Sequence, residues 1–442
     1  MKTLLKNAWI LTMDDLYTEI RDGWLMVENG KVAALGKDNV PTDVDETIDC
    51  GGGLLLPGFV NAHCHASMIP FRTMGDDCPD RLRRFLFPLE QEAWTERLSY
   101  LGARYAAAEM LLAGVTTVAD MYYYEDRVAE AFVEMGIRSF PGETVISQKA
   151  PGSDTPAIAL RRSRELLERW AGSEWVHPIL APHGTTTVDP EVLAECQQLA
   201  ETYQTLLTIH ACEMDYEMQL FREKGQTPIT YLDSLGLCGP HLLAVHCIHL
   251  SQDDIALMAQ KGARICTCPG SNTKAGKGVA PIREVAAAGI PFGFGTDGPS
   301  SGNTLNLFDQ MRLFAVSQKT ACHDRSLFPA REIVRIATRG GAEALGMTNA
   351  GQLSPGCLAD LLVVSLEGSS MFPVYNPYSA LVYSAGARDV SLVMTGGQVR
   401  VRNGQLTACE LCDLRSELRK EMPSFQRAAE KYADTSEGLK SF

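Results

Sequence analysis

His63 and His65 stand one residue apart at the end of the stretch Pro57-Gly58-Phe59-Val60-Asn61-Ala62-His63-Cys64-His65. On a β-strand, residues i and i+2 point to the same side, so both imidazoles can face one point. Two imidazoles facing one point suit a first-row metal ion. His-x-His alone does not define a site, because packing histidines can fall at this spacing. Similar chemistry recurs along the chain, each time at the end of a short apolar run. Ile179-Leu180-Ala181-Pro182 ends in His183, and Leu206-Leu207-Thr208-Ile209 ends in His210 with Glu213 three residues on. Leu243-Ala244-Val245 ends in His246, with His249 following, and Phe292-Gly293-Phe294-Gly295-Thr296 ends in Asp297. Asp297 could cap a helix, but an acid beside several imidazoles better fits an N/O metal site. His249 could equally be a turn or supporting residue, and His177, His241 and His323 have the setting of loop residues.

The elements that must bring these ends together can be read from the apolar pattern. Eight β-like runs, at 55–62, 116–121, 138–141, 176–182, 206–210, 242–247, 264–267 and 291–295, alternate with Ala/Leu/Glu-rich helical stretches. Eight β/α repeats in a segment of this size predict a TIM (β/α)8 barrel, which places its chemistry at the C-terminal ends of its strands. No Gly-rich phosphate loop follows the first strand, which disfavours a doubly wound open sheet. Both chain ends have short alternating strands with hairpin turns such as Asn29-Gly30 and Asn403-Gly404. The expected division is a β-sandwich from residues 1–55 and 351–407, a barrel from 56–350 and a helical segment at 408–442.

Composition narrows the function. The chain has 442 residues and a net charge of -14, which argues against a nucleic-acid phosphate grip and against an anionic membrane surface. No apolar run reaches the ~18 residues of a membrane span, and the N-terminus lacks a secretory pattern. The expectation is cytoplasmic residence, a small-molecule partner and a homo-oligomer, with no nucleic acid and no membrane. The 13 cysteines are scattered without disulfide-scaffold or zinc-pair spacing.

In combination the motifs resemble the amidohydrolase superfamily. They are His63-Cys64-His65 after Pro-Gly-Phe-Val-Asn, His210-x-x-Glu213, His246-Cys247-x-His249-Leu250, Ser271-Asn272-x-Lys274 and Gly295-Thr296-Asp297-Gly298. Within that superfamily they are similar to the branch containing S-adenosylhomocysteine/methylthioadenosine deaminases and s-triazine hydrolases. Gly351-Gln352-Leu353-Ser354-Pro355-Gly356 and Ala359-Asp360-Leu361 resemble that family's return into its β-sandwich.

The resemblance implies one divalent metal ion held by His63, His65, His210 and Asp297. Binuclear relatives add a carboxylated lysine on the fourth strand, and the run from Val176 to His183 contains no lysine. Zinc is the expected ion, with iron or manganese the alternatives by ligand type. Such an ion lowers the pKa of its water toward 7. Asp297 is then expected to take a proton of that water, and His246 to hydrogen-bond it. The resemblance gives Glu213 the task of protonating a ring nitrogen, which calls for a carboxyl able to gain and lose a proton near neutral pH.

The implied activity is hydrolytic deamination of an amino-substituted N-heterocycle, first among them the 6-amino group of an adenine nucleoside. The implied substrate contacts are His183, Glu213, Arg84 and Glu143. Arg84 lies in the basic and aromatic segment from Gly75 to Glu90, which in relatives covers the substrate and contacts a ribose. The chain departs from the family pattern at Gly184-Thr185-Thr186-Thr187 and at Glu143, where relatives commonly carry arginine. Those departures leave open a guanine, pterin, cytosine or s-triazine substrate. Chloride needs no proton to leave, so an intact Glu213 disfavours chlorohydrolysis. A non-catalytic metal-binding scaffold would be expected to lack one of these residues, and none is missing.

Overall fold

In the computed structural model, which describes residues 1–437, the apolar run at the organising stretch is two strands and not one. Leu54–Pro57 pairs with Leu361–Val364 and with Lys2–Leu11, whereas Phe59–Cys64 pairs in parallel with Val115–Tyr122. The first barrel strand therefore starts at Phe59, not at Leu55. The break has two local causes. Pro57 cannot donate to a ladder, and Gly58 sits where a Cβ would fall 2.0 Å from Thr116 Oγ1. Gly58 donates its N–H to the Asp360 carbonyl at 2.9 Å, pinning the crossing point.

Leu54–Pro57 is buried on both faces, which explains its unbroken apolar character. Leu54 and Leu56 pack into the large core shared with the barrel, while Leu55 turns into the core of the terminal sheet with Leu5, Leu25, Leu361 and Met394. That sheet has nine strands drawn from both chain ends. From Gln405-Leu406 it runs through Gln398–Arg402, Val390–Thr395, Leu361–Val364 and Leu54–Pro57 to Lys2–Leu11, Glu19–Glu28 and Lys31–Gly36, with Glu46–Asp49 beside Lys2–Leu11. A buried ion pair, Arg138 Nε to Asp360 Oδ2 at 3.1 Å, ties it to the third barrel strand.

The barrel itself is two four-stranded parallel sheets. Phe59–Cys64, Val115–Tyr122, Arg138–Val145 and Ala181–Pro182 form one; Leu207–Ala211, Leu242–His246, Arg264–Thr267 and Phe292–Phe294 form the other. The fourth strand is reduced to two residues, with Pro178 and Pro182 each removing a donor. Parallel bridges Leu180↔Leu207 and Gly184↔His210 still carry the sheet across to the fifth strand. The other seam closes through Asp297 N–H to the His63 carbonyl at 3.2 Å, and Asn61 Oδ1 accepts from Thr296 N–H at 3.0 Å. The fold is thus a TIM barrel with a β unit built from both chain ends.

The C-terminal helix Leu411–Glu437 packs against Glu96–Leu112, with Phe425 set edge-on to Phe71 at 4.8 Å. Residues 438–442 of the expected helical segment lie outside the described residues. Among the described residues no helix is long and apolar enough to cross a membrane.

Candidate active site

The barrel delivers its polar strand ends to one floor. His65 Nε2 lies 3.1 Å from Asp297 Oδ1, and His63 Nε2 lies 3.9 Å from the same oxygen. His210 Nε2 reaches within 3.2 Å of His63 Nε2. The ligand-type atoms of His63, His65 and Asp297 lie within 4.8 Å of one another, as do those of His63, His210 and His246. Asp297 and His246 adopt left-handed backbone, with φ of 57° and 69°. Non-glycine residues hold that conformation at a cost, and such strain gathers at functional sites.

The neighbouring backbone sets the orientation of two rings. His65 Nδ1–H donates to the Met121 carbonyl and His210 Nδ1–H to the His183 carbonyl, each at 2.5 Å. Both Nε2 atoms are thereby left to face the centre, the arrangement that holds a metal-binding imidazole in the right tautomer. Burial drives the pKa values of His63 and His210 well below the ordinary range, so both rings are neutral. Asp297 would be pushed up by burial, but hydrogen bonding and charge from His65 hold it well below the usual carboxylate range. Burial opposes charge on His65 too, yet the Asp297 carboxylate outweighs it and lifts His65 to about 9. The neutral imidazoles of His63 and His210, with a carboxylate that draws positive charge toward itself, form a donor set suited to a divalent cation.

Above this floor opens a cavity of about 470 Å³, within the range of small-molecule sites. Glu213 and His246 stand at its base, with His246 Nε2 3.5 Å from Glu213 Oε1. His246 Nδ1–H donates to Asn272 Oδ1 at 2.8 Å, which gives the Asn of the Ser-Asn-x-Lys motif its place. The Glu217 carboxylate accepts from the backbone N–H groups of Cys212 and Glu213 and from Thr185 Oγ1, at 3.1, 2.9 and 2.5 Å. Thr185, one of the departures from the family pattern, thus supports the loop that presents Glu213. Thr187 hydrogen-bonds His183 Nδ1 at 2.8 Å, and the His183 ring lines the cavity near Phe87.

Glu213 differs electrostatically from the sequence expectation. Burial alone would raise its pKa, but His246 and Lys277 outweigh burial and hold it at about 2. The carboxyl is a carboxylate in the resting site, not a group poised near neutrality. Its close partner is Lys277, whose Nζ donates to Oε1.

Two expected substrate contacts stand elsewhere. Arg84 is exposed and absent from the cavity lining, because its turn of helix faces outward; Arg81, Leu82 and Leu86 face in. Glu143 is buried behind the wall, where it accepts from Glu125 N–H at 2.8 Å and lies 3.6 Å from Arg162 Nη1. His249 is set aside from the floor, with Nε2 3.7 Å from Asp215 Oδ1.

Sequence reasoning gave no role to two cavity residues. Glu90 is buried and accepts hydrogen bonds from the hydroxyls of Tyr122 at 2.7 Å and Tyr123 at 3.4 Å. Its only signal was an acid among the apolar positions of an amphipathic helix. Lys277 sits three residues past the Ser-Asn-x-Lys motif, which ends at Lys274, and belongs to no motif of its own. Asp76 forms the roof contact, accepting from Lys274 Nζ at 2.7 Å, Asn303 Nδ2 at 3.0 Å and Arg81 Nη1 at 3.2 Å.

A barrel with this floor defines a class of metal-assisted hydrolases, and comparison with known proteins agrees. Residues 54–400 match the amidohydrolase family model, and the chain belongs to that family. It is 37% identical over 424 residues to a 5-methylthioadenosine/S-adenosylhomocysteine deaminase of Nitratidesulfovibrio vulgaris, covering 95% of this chain and 96% of the relative. A 5'-deoxyadenosine deaminase of Methanothermobacter thermautotrophicus is 34% identical, with 88% and 92% covered. Among solved structures, an adenosine deaminase from Xanthomonas campestris with bound zinc superposes with a TM-score of 0.93 at 28% identity, covering 96% of this chain and 98% of that one. The atrazine chlorohydrolase of Arthrobacter aurescens, complexed with zinc, gives a TM-score of 0.88 at 27% identity, with 95% and 100% covered.

Proposed function

We propose that this protein is a hydrolytic deaminase of adenine nucleosides, of which S-adenosylhomocysteine and 5'-methylthioadenosine are the leading substrates. The reaction is the replacement of the ring amino group by water's oxygen, with ammonia released. One observation carries the reading: the Asp297 carboxylate and the imidazoles of His63, His65 and His210 converge on the floor of a cavity that also holds Glu213 and His246. The deaminases similar over nearly the whole chain give it a substrate class.

His63, His65, His210 and Asp297 are the residues that would hold a single divalent ion, zinc by ligand type and by the zinc in similar structures. Bound there, the ion supplies the Lewis acidity that makes water a nucleophile at neutral pH. The chain's own groups handle the protons. The Asp297 carboxylate accepts a proton from the attacking water. His246, fixed by Asn272, turns Nε2 toward the reacting carbon and stabilises the oxygen that forms there. Glu213 starts as a carboxylate, so it must take a proton before it gives one: it takes the water's other proton and passes it to the ring nitrogen, and the proton held by Asp297 goes to the amine, which leaves as ammonia. Glu90, facing the cavity beside its two tyrosines, retains lone pairs for hydroxyl groups of the substrate.

The test is ammonia release from a panel of adenine nucleosides, guanine, pterins, cytosine and s-triazines. Release confined to the nucleosides supports the reading. Turnover of another ring, with the nucleosides inert, replaces it.

A further inference from the structure

Lys277 and Glu213 come from different loops and meet inside the cavity. Lys277 follows the helix Pro269–Lys274 and is flanked by Gly276 and Gly278, whose φ angles of 65° and 121° are open to glycine. Those turns fold the lysine back over the end of the fifth strand. Its side chain is 20% exposed and that of Glu213 17%, so the pair is largely withdrawn from water. The other two cations on this side of the cavity, Arg81 and Lys274, are both paired with Asp76. Lys277 is the cation that meets the carboxylate assigned to proton transfer.

The contact bears on geometry as much as charge. A glutamate side chain ordered into one conformation gives up roughly 1–2 kcal/mol of rotamer freedom. Proton transfer needs the carboxylate within hydrogen-bond reach of its target in the reacting complex. Glu217 fixes the backbone of Glu213, but its hydrogen bond to the backbone leaves the side chain free to turn. A charge-assisted hydrogen bond from Lys277 to Oε1 restrains that freedom, with His246 approaching the same oxygen from the floor.

We propose that Lys277 is a positioning residue for deamination, holding Glu213 Oε1 so that the carboxylate meets the ring nitrogen in one orientation. This rests on the role proposed above for Glu213. Lys277 acts through Glu213 and not through the substrate, and this separates it from an ordinary binding lysine. Removing it should lower turnover and leave substrate affinity nearly unchanged.

The experiment is a double-mutant cycle on the metal-loaded enzyme, comparing wild type, Lys277→Met, Glu213→Gln and the double variant, with Lys277→Arg as the conservative replacement. Ammonia release, KM, bound metal and melting temperature are measured on each. Lys277→Met should lower kcat by about tenfold or more, a part of the ~10²–10⁴ that general acid–base catalysis supplies, at near-constant KM and metal content. Lys277→Arg should recover most of the loss. In the Glu213→Gln background, removing Lys277 should cost little further, because the group it positions is already disabled. Equal losses in both backgrounds would overturn the proposal, as would a raised KM with kcat retained, which marks a substrate contact. If Lys277→Met does not fold, Lys277→Gln takes its place in the cycle under the same criteria. Near-normal turnover by Glu213→Gln would instead strike the reading of Glu213 itself, a result visible in that variant alone.

Discussion

His65 Nε2 and Asp297 Oδ1 face each other at 3.1 Å across the seam where the first and eighth barrel strands meet. The two residues are far apart in the chain, and barrel closure alone brings them together. Burial opposes charge on His65, but its hydrogen bond to Asp297 and that carboxylate's charge outweigh burial and lift His65 to about 9. A divalent ion would take over the positive charge that the carboxylate otherwise draws onto the imidazole.

The metal reading therefore predicts about one tightly bound divalent ion per chain. His63→Ala and His210→Ala should each lose it, because either change removes an imidazole from the floor. Elemental analysis of the purified variants checks this. Two ions per chain, or an active preparation with none, would contradict a single-ion site.

Glu213→Gln keeps the size of the side chain and removes its titratable proton. If Glu213 carries a proton in the transition state, ammonia release should fall by at least ~10²-fold. Bound metal should be unchanged, since Glu213 is not among the proposed ligands. Measuring both on one preparation separates the roles: loss of metal along with activity would make Glu213 a ligand or a support.

The floor of this site was legible in the sequence because barrel chemistry gathers at strand ends, and the strand ends announce themselves as polar residues after apolar runs. His63, His65, His210, His246 and Asp297 all follow such runs. The walls obey no such rule. Arg84 and Arg81 are one helical turn apart in the same basic segment, and only the folded helix decides which of them faces the cavity. Glu143 follows an apolar run in the sequence as the histidines do, but it lies inside the strand Arg138–Val145 and its carboxylate turns to Glu125 N–H and Arg162 behind the barrel wall. Lys277 reaches Glu213 by a loop excursion that no periodicity encodes. In the same way, the apolar run at Leu54–Val60 hid a strand break, because a strand buried on both faces and a barrel strand have the same composition.

That break supports a stability prediction. A Cβ at position 58 would lie 2.0, 2.4 and 2.7 Å from Thr116 Oγ1, Cγ2 and Cβ. Gly58→Ala should destabilise the fold by about 1–3 kcal/mol, the usual cost of overpacking. Thr116→Ala in the same chain removes the two nearest atoms and should restore much of the loss. Urea midpoints of the single and double variants test this. An undiminished midpoint in Gly58→Ala would show that the junction between sheet and barrel can shift.

Glu90 makes stability depend on pH in a direction opposite to that of a salt-bridged acid. Burial raises its pKa to about 7, with Tyr122, His65 and Tyr123 only partly offsetting the shift. In the unfolded chain a glutamate titrates near ~4.3. Below that value both states carry the proton, and Glu90 contributes no pH dependence. Between about 4.3 and 7 the folded state binds more protons than the unfolded state, so stability falls as pH rises. Above 7 both states are ionised and the loss is complete. At about 1.4 kcal/mol per pKa unit, the loss is on the order of 2–4 kcal/mol. Glu90→Gln cannot titrate and removes this contribution. Every other ionisable group is common to the two proteins, so the informative quantity is their difference. Unfolding free energies measured by urea at pH 5 and pH 8 should show wild type losing stability relative to Glu90→Gln by that amount. A difference that stays constant across the window would mean that Glu90 is already ionised at pH 5, held as a carboxylate by its two tyrosine hydroxyls and by His65.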